Sequence, residues 1–225
     1  GSFGAAMEAT CKGIFMGGVT RRFPELRFGL LEGGVGWAVT LLHDLLEHWE
    51  KRNKNTIHNL DPKNIDADMM MALFAEYSDA IYGPNAPGLR ESFAALEPEP
   101  PYTNEWAALD VDSEEELIAS YEKNFYFGCE ADDTSIAWAF NDKLNPGGVR
   151  LRAMFSSDIG HWDVKDMTHV LGEAYDLVEN HHITEKDFSD FTFGFPVEFY
   201  GALNLDFFKG TRVEDAAQAH LKSVA

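Results

Sequence analysis

Leu26-Arg27-Phe28-Gly29-Leu30-Leu31-Glu32-Gly33-Gly34 is a short apolar run closed by a glycine pair, which predicts a β-strand ending in a tight turn. Upstream, residues 7–22 read as mixed and stop at Phe23-Pro24, where proline ends a helix. Downstream, 38–52 predicts a helix. Val39, Leu42, Leu46 and Trp49 recur at helical spacing with Ala38, Leu41 and Leu45 beside them, and Glu47 precedes Lys51 by four residues on the solvent side. The same alternation returns later. Ser113 predicts the cap of a helix whose first turn is Glu114-Glu115-Glu116, and strands are expected at Phe125–Cys129 and Val149–Phe155. A short helix over 134–142 and the turn Asn145-Pro146-Gly147-Gly148 lie between those strands. A helix over 164–179 capped by Asp163, two short helices over 185–208, and a helix or tail over 212–225 complete the reading. Strands alternating with helices imply an α/β fold with a parallel sheet.

The stretch 54–111 breaks this rhythm. Asn53, Asn55, Asn59 and Asn64 surround Asp61-Pro62, and five of the nine prolines (Pro84, Pro87, Pro98, Pro100, Pro101) fall within eighteen residues. A helix is expected over Ala67–Tyr77, its Met69-Met70-Met71 run read as core filler. The remainder reads as irregular chain on a surface, so 54–111 is expected to be a long insertion or lid and not a second domain.

Composition narrows the function classes. Of 225 residues, 45% are hydrophobic, which excludes a disordered chain, and the net charge of −20 repels phosphate backbones and anionic membranes. No apolar run has the roughly 18 residues of a spanning helix. The start shows no basic segment leading into an apolar one, and Cys11 and Cys129 lack a CxxC spacing. Two reduced, buried thiols in a cytoplasmic protein are expected, with neither nucleic acid nor membrane as partner.

In parallel βα architectures functional groups collect at the C-terminal ends of strands. Those ends carry Glu32-Gly33-Gly34, Glu130-Ala131-Asp132-Asp133 and Asp158 to Asp163. Carboxylates so placed either are solvated loop acids or repel one another until a cation or substrate compensates. Ser157-Asp158-Ile159-Gly160-His161-Trp162-Asp163 offers an oxygen and a nitrogen donor in one loop. The chain has no HxH or HExxH; His43 and His48 read as exposed or at the core edge, and His181-His182 as a solvated turn.

An ordered set of segments resembles the amidohydrolase-related metal-dependent hydrolases, in the branch that includes aminocarboxymuconate-semialdehyde decarboxylase. It comprises Phe23-Pro24-Glu25-Leu26-Arg27-Phe28, Leu31 to Trp37, Ser157 to Asp163, Asp187-Phe188 through Phe195-Pro196, and Asn204 to Thr211. The resemblance implies a (β/α)8 TIM barrel with a divalent metal, most often zinc, with manganese as the alternative. Asp158 matches the family's strand-eight Asp, a metal ligand that also takes a proton. Glu32 stands where many members have the strand-six His that contacts substrate, and His161 either orients Asp158, touches substrate or is structural. The strand-one pair and the strand-five His have no counterpart.

The resemblance thus covers the last three strands of eight, and implies that 1–225 is the C-terminal part of such a barrel, completed by a missing segment or a partner chain. With 54–111 set aside roughly 170 residues remain, against ~250 in a closed barrel. The implied activity is hydrolysis or non-oxidative decarboxylation of a small carboxylated or carbonyl substrate. The competing expectation is a catalytically silent subunit acting by association with another chain or a second copy, because three strands cannot close a barrel.

Overall fold

Phe125-Tyr126-Phe127-Gly128-Cys129 is buried along its whole length, as the middle strand of a parallel sheet should be. The computed structural model describes residues 3–95 and 104–224; Pro98, Pro100 and Pro101 lie outside the described residues. The helices and strands run α1 (Phe3–Met16), α2 (Val19–Arg22), β1 (Phe28–Leu30), α3 (Gly36–Arg52), α4 (Ala67–Tyr77), α5 (Ala86–Ala94), α6 (Glu114–Asn124) and β2 (Phe125–Cys129). They continue with α7 (Ile136–Ala139), β3 (Arg152–Phe155), α8 (Val170–Glu179), α9 (Glu185–Ser189), a π-turn over Asp190–Gly194, α10 (Phe195–Gly201) and α11 (Glu214–Val224). The sheet order is β1-β2-β3, with both pairs parallel. The chain is therefore α/β with a small three-stranded parallel sheet.

The alternation of β2 builds two packed faces. Phe125 and Phe127 meet Tyr121 of α6, and Phe15 of α1 lies edge-on to Tyr121 at 5.4 Å. Trp37 at the start of α3 packs edge-on to Phe127. On the opposite face Tyr126 meets Phe199 of α10. The Tyr121 hydroxyl donates to the Ala38 carbonyl at 3.1 Å and is satisfied, whereas Trp37 Nε1 in the same cluster is buried without a hydrogen-bond partner. Cys11 and Cys129 are free and buried. Burial pushes the Cys11 thiol up to about 12, countered by its contact with the Tyr121 hydroxyl, so neither the compartment nor a disulfide is needed to keep it inert.

Two compact units divide the chain. One combines the residues up to Leu46 with those from Ala108 onward; the other is Glu47–Ala107. Within the second, Asp66 caps α4 by accepting from the Met69 N–H, and Pro87 sits in the first turn of α5. Arg90 of α5 pairs with Asp68 of α4. The prolines at 84 and 87 thus start helices, where their missing N–H costs nothing, and the expectation of irregular chain there is corrected. The core-filler reading of the methionines is corrected too: Met69 and Met70 are exposed, and no residue of α4 is buried.

Other differences are local. Residues 7–22 are helical, because the Gly17-Gly18 pair only separates α1 from α2, with Gly18 left-handed at φ 67° beneath the Ala108 carbonyl. The third strand begins at Arg152, since Asn145 Nδ2 donates to the carbonyls of Trp138, Ala139 and Val149 and holds the preceding residues in a turn. The helix expected over 164–179 begins at Val170. Asp163 does not cap it, Asp166 accepts instead from the Thr168 N–H and hydroxyl, and the buried face is Val170, Ala174 and Leu177. The short helices end at Gly201, and α11 occupies 214–224.

Candidate metal centre

The three strands deliver their C-terminal ends to one side of the sheet, and the exits of β1 and β3 are sharp corners. Glu32 and Asp158 leave β1 and β3 with positive φ, 62° and 53°. Gly34 and Gly160 follow at φ 65° and 110°, which only glycine adopts without cost. The corners are pinned by the Gly34 N–H donating to the Gly128 carbonyl at 3.2 Å and the Ser156 N–H donating to the Cys129 carbonyl at 2.9 Å.

These corners bring together Glu32, Asp158 and His161, the three residues singled out from the sequence. One ligand atom of each lies within 4.8 Å of the other two. Adjacent strands stand ~4.8 Å apart, so β1 and β3 are separated by about twice that. The glutamate reaches over the end of β2 to close the gap. His161 Nδ1 sits 2.9 Å from Asp158 Oδ2; the carboxylate is largely shielded and the imidazole exposed.

Glu130, at the end of β2, borders this group. Its pKa is raised, first by partial burial and then by the carboxylates of Asp132, Asp158, Asp163 and Glu32. Sequence reasoning marks Glu130 only as one strand-end acid among several. Its place at the end of the middle strand is the signal that sets it between two clefts. One, of about 470 Å³, is lined by Glu32, Gly34, Trp37, Glu130 and Asp133; the other, of about 530 Å³, by Glu130, Ser157, Asp158, Asp163 and His169. Asp133 is committed locally, accepting from the Ser135 N–H at 2.8 Å.

Two carboxylate oxygens and an imidazole nitrogen are a donor set that zinc or manganese accepts. Donors at ~2.0–2.2 Å around a tetrahedral ion lie about 3.4 Å apart, so a pair standing at the full 4.8 Å would have to close by roughly 1.4 Å. Glu32 and His161 are exposed and Asp158 half-buried, so side-chain rotation can supply that closure and the three residues are compatible with a divalent cation. His43 and His48 are exposed on α3, and His181 and His182 are exposed in the turn after α8, away from any such group. Among the described residues no helix is long and apolar enough to cross a membrane.

No protein-family model, no curated protein and no solved structure matches this chain.

Proposed function

We propose that this chain is the C-terminal part of a metal-dependent, amidohydrolase-like enzyme that hydrolyses or non-oxidatively decarboxylates a small carboxylated or carbonyl substrate. The observation that carries the reading is the convergence of Glu32, Asp158 and His161 at the strand ends. Asp158, with Glu32 and His161, would hold the cation. When bound, a divalent metal there supplies Lewis acidity and a water acidified towards ~7. Asp158, shielded and beside His161 Nδ1, is the group placed to take a proton, and His161 positions it. Glu130 lines both clefts and adds a further carboxyl group beside the three donors.

A second reading, a catalytically silent subunit, is favoured by a different observation: among the described residues β1 and β3 each pair with β2 alone. Strand edges of this kind invite another chain. Equilibrium dialysis of the purified chain against zinc and manganese, with metal measured by mass spectrometry, separates the two. About one ion per chain, lost in Asp158→Asn and in Glu32→Gln while the circular dichroism spectrum holds, is expected of a working site. Absence of metal together with tight self-association would favour the silent subunit.

A further inference from the structure

Within the unit Glu47–Ala107, α4 carries an apolar face that is exposed among the described residues. Along α4, Met69, Met70, Leu73 and Tyr77 are 61%, 41%, 45% and 75% exposed, and the turn beyond adds Ile81 and Tyr82. At 100° per residue the four helical positions span an arc of roughly 100°, so they form one stripe. The helix is already supported on its other side, where Ala67, Met71 and Phe74 are half-buried. The stripe is therefore not used in packing among the described residues of the unit, and contiguous exposed apolar surface of this kind marks an interaction site.

Charge decides what fits it. Residues 64–82 contain Asp66, Asp68, Glu76 and Asp79 and no Lys, Arg or His. Asp66 and Asp79 spend one oxygen each on backbone N–H groups at the two ends of the stripe, and Asp68 pairs with Arg90. Glu76 sits on the helix one residue before Tyr77. An apolar stripe rimmed by carboxylates complements an amphipathic segment whose polar face is basic, and it repels an anionic membrane surface. Unbranched methionines at the N-terminal end of the stripe adapt to differently shaped apolar side chains.

We propose that the exposed face of α4 docks a basic amphipathic helix of a protein partner, its apolar side laid along Met69, Met70, Leu73 and Tyr77. The test uses the full chain and a fluorescent Leu/Lys peptide of helical periodicity, about 18 residues long, so that it can span the stripe. At about 150 mM salt, where long-range attraction to the acidic chain is screened, the peptide should bind and become helical, and its Leu/Glu counterpart should not. Met69→Ser with Leu73→Ser should weaken binding by at least ~10-fold, whereas Leu203→Ser with Leu205→Ser, also exposed but elsewhere, should not. Equal loss in both double variants, or no loss in the first, would overturn the proposal by showing general charge attraction. Absence of peptide binding, with a dimer in sedimentation that the Met69/Leu73 variant abolishes, would overturn it in favour of a second copy on this face.

Discussion

Glu32 and Asp158, on either side of β2, leave their strands in the same left-handed conformation, φ 62° and 53°. For a non-glycine residue this costs on the order of 1 kcal/mol, and Asp and Asn bear it better than Glu. The strain buys convergence, because an extended corner would carry the two carboxylates away from each other. Glu32→Gly should therefore stabilise the fold by on the order of 1 kcal/mol and raise the melting temperature, while removing one carboxylate from the Glu32–Asp158–His161 group. Asp158→Asn should leave stability nearly unchanged, since Asn tolerates the same φ. Thermal melts of both variants check this; a Glu32→Gly variant less stable than the parent would show that its corner is unstrained.

Glu130 makes stability depend on pH. Its folded pKa is raised above the ordinary carboxylate value, so the folded state disfavours the charged form relative to the unfolded chain. The penalty is absent below the unfolded pKa, grows as pH rises through the interval between the two values, and is fully present above the folded one. Glu130→Gln should thus raise the melting temperature at neutral pH and lose its advantage as pH falls below the ordinary carboxylate range. Denaturation curves of the two proteins across that range decide it, and an advantage that persists at low pH would assign the effect to something other than charge. Because Glu130 is exposed, salt should shrink the difference.

How much of this was legible in the sequence differs by element. The strand Phe125–Cys129 and the Ser113 cap, which accepts from the Glu116 N–H, follow from local pattern alone. Asp158, Glu32 and His161 were recognisable as strand-end residues, since a parallel sheet sends such residues to one side. Their approach to within reach of one ion depends on backbone corners that no periodicity encodes. The helix expected from Val164 failed because Asp166, Thr168 and His169 bond one another locally, which competes with helix formation. Met69 and Met70 were misplaced because composition cannot tell a buried apolar stripe from an exposed one.

Asn124 joins the first two strands without belonging to either. It is buried, and its Nδ2 donates to the carbonyls of Pro24 at 3.1 Å and Leu26 at 2.6 Å. That ties the chain entering β1 to the residue entering β2 and supports the register in which Phe28 faces Phe125. Asn124→Ala leaves both carbonyls without this donor and should cost ~1–3 kcal/mol. Urea denaturation measures it; a loss under a few tenths of a kcal/mol would mean that water replaces the amide.

Gly128 and Gly29 lie in neighbouring strands, and their substitution to alanine should differ in both size and consequence. A Cβ on Gly128 would meet Leu31 Cα at 2.8 Å, whereas one on Gly29 would meet the Cζ end of the Phe199 ring at 2.9 Å. The ring can tilt; the backbone at Leu31 can move only by shifting the corner that carries Glu32. Gly128→Ala is therefore expected to destabilise by ~1–3 kcal/mol, and Gly29→Ala by less, part of the strain being absorbed by Phe199. On the proposed metal-site reading the two variants should also separate at the Glu32–Asp158–His161 group. Displacing Leu31 pulls Glu32 away from Asp158 and His161, so any zinc binding there should weaken in Gly128→Ala even where the protein remains folded, and not in Gly29→Ala. Paired zinc titrations and thermal melts give both readouts, and equal zinc affinity in the two variants would break the link drawn between the β2 glycine and the position of Glu32.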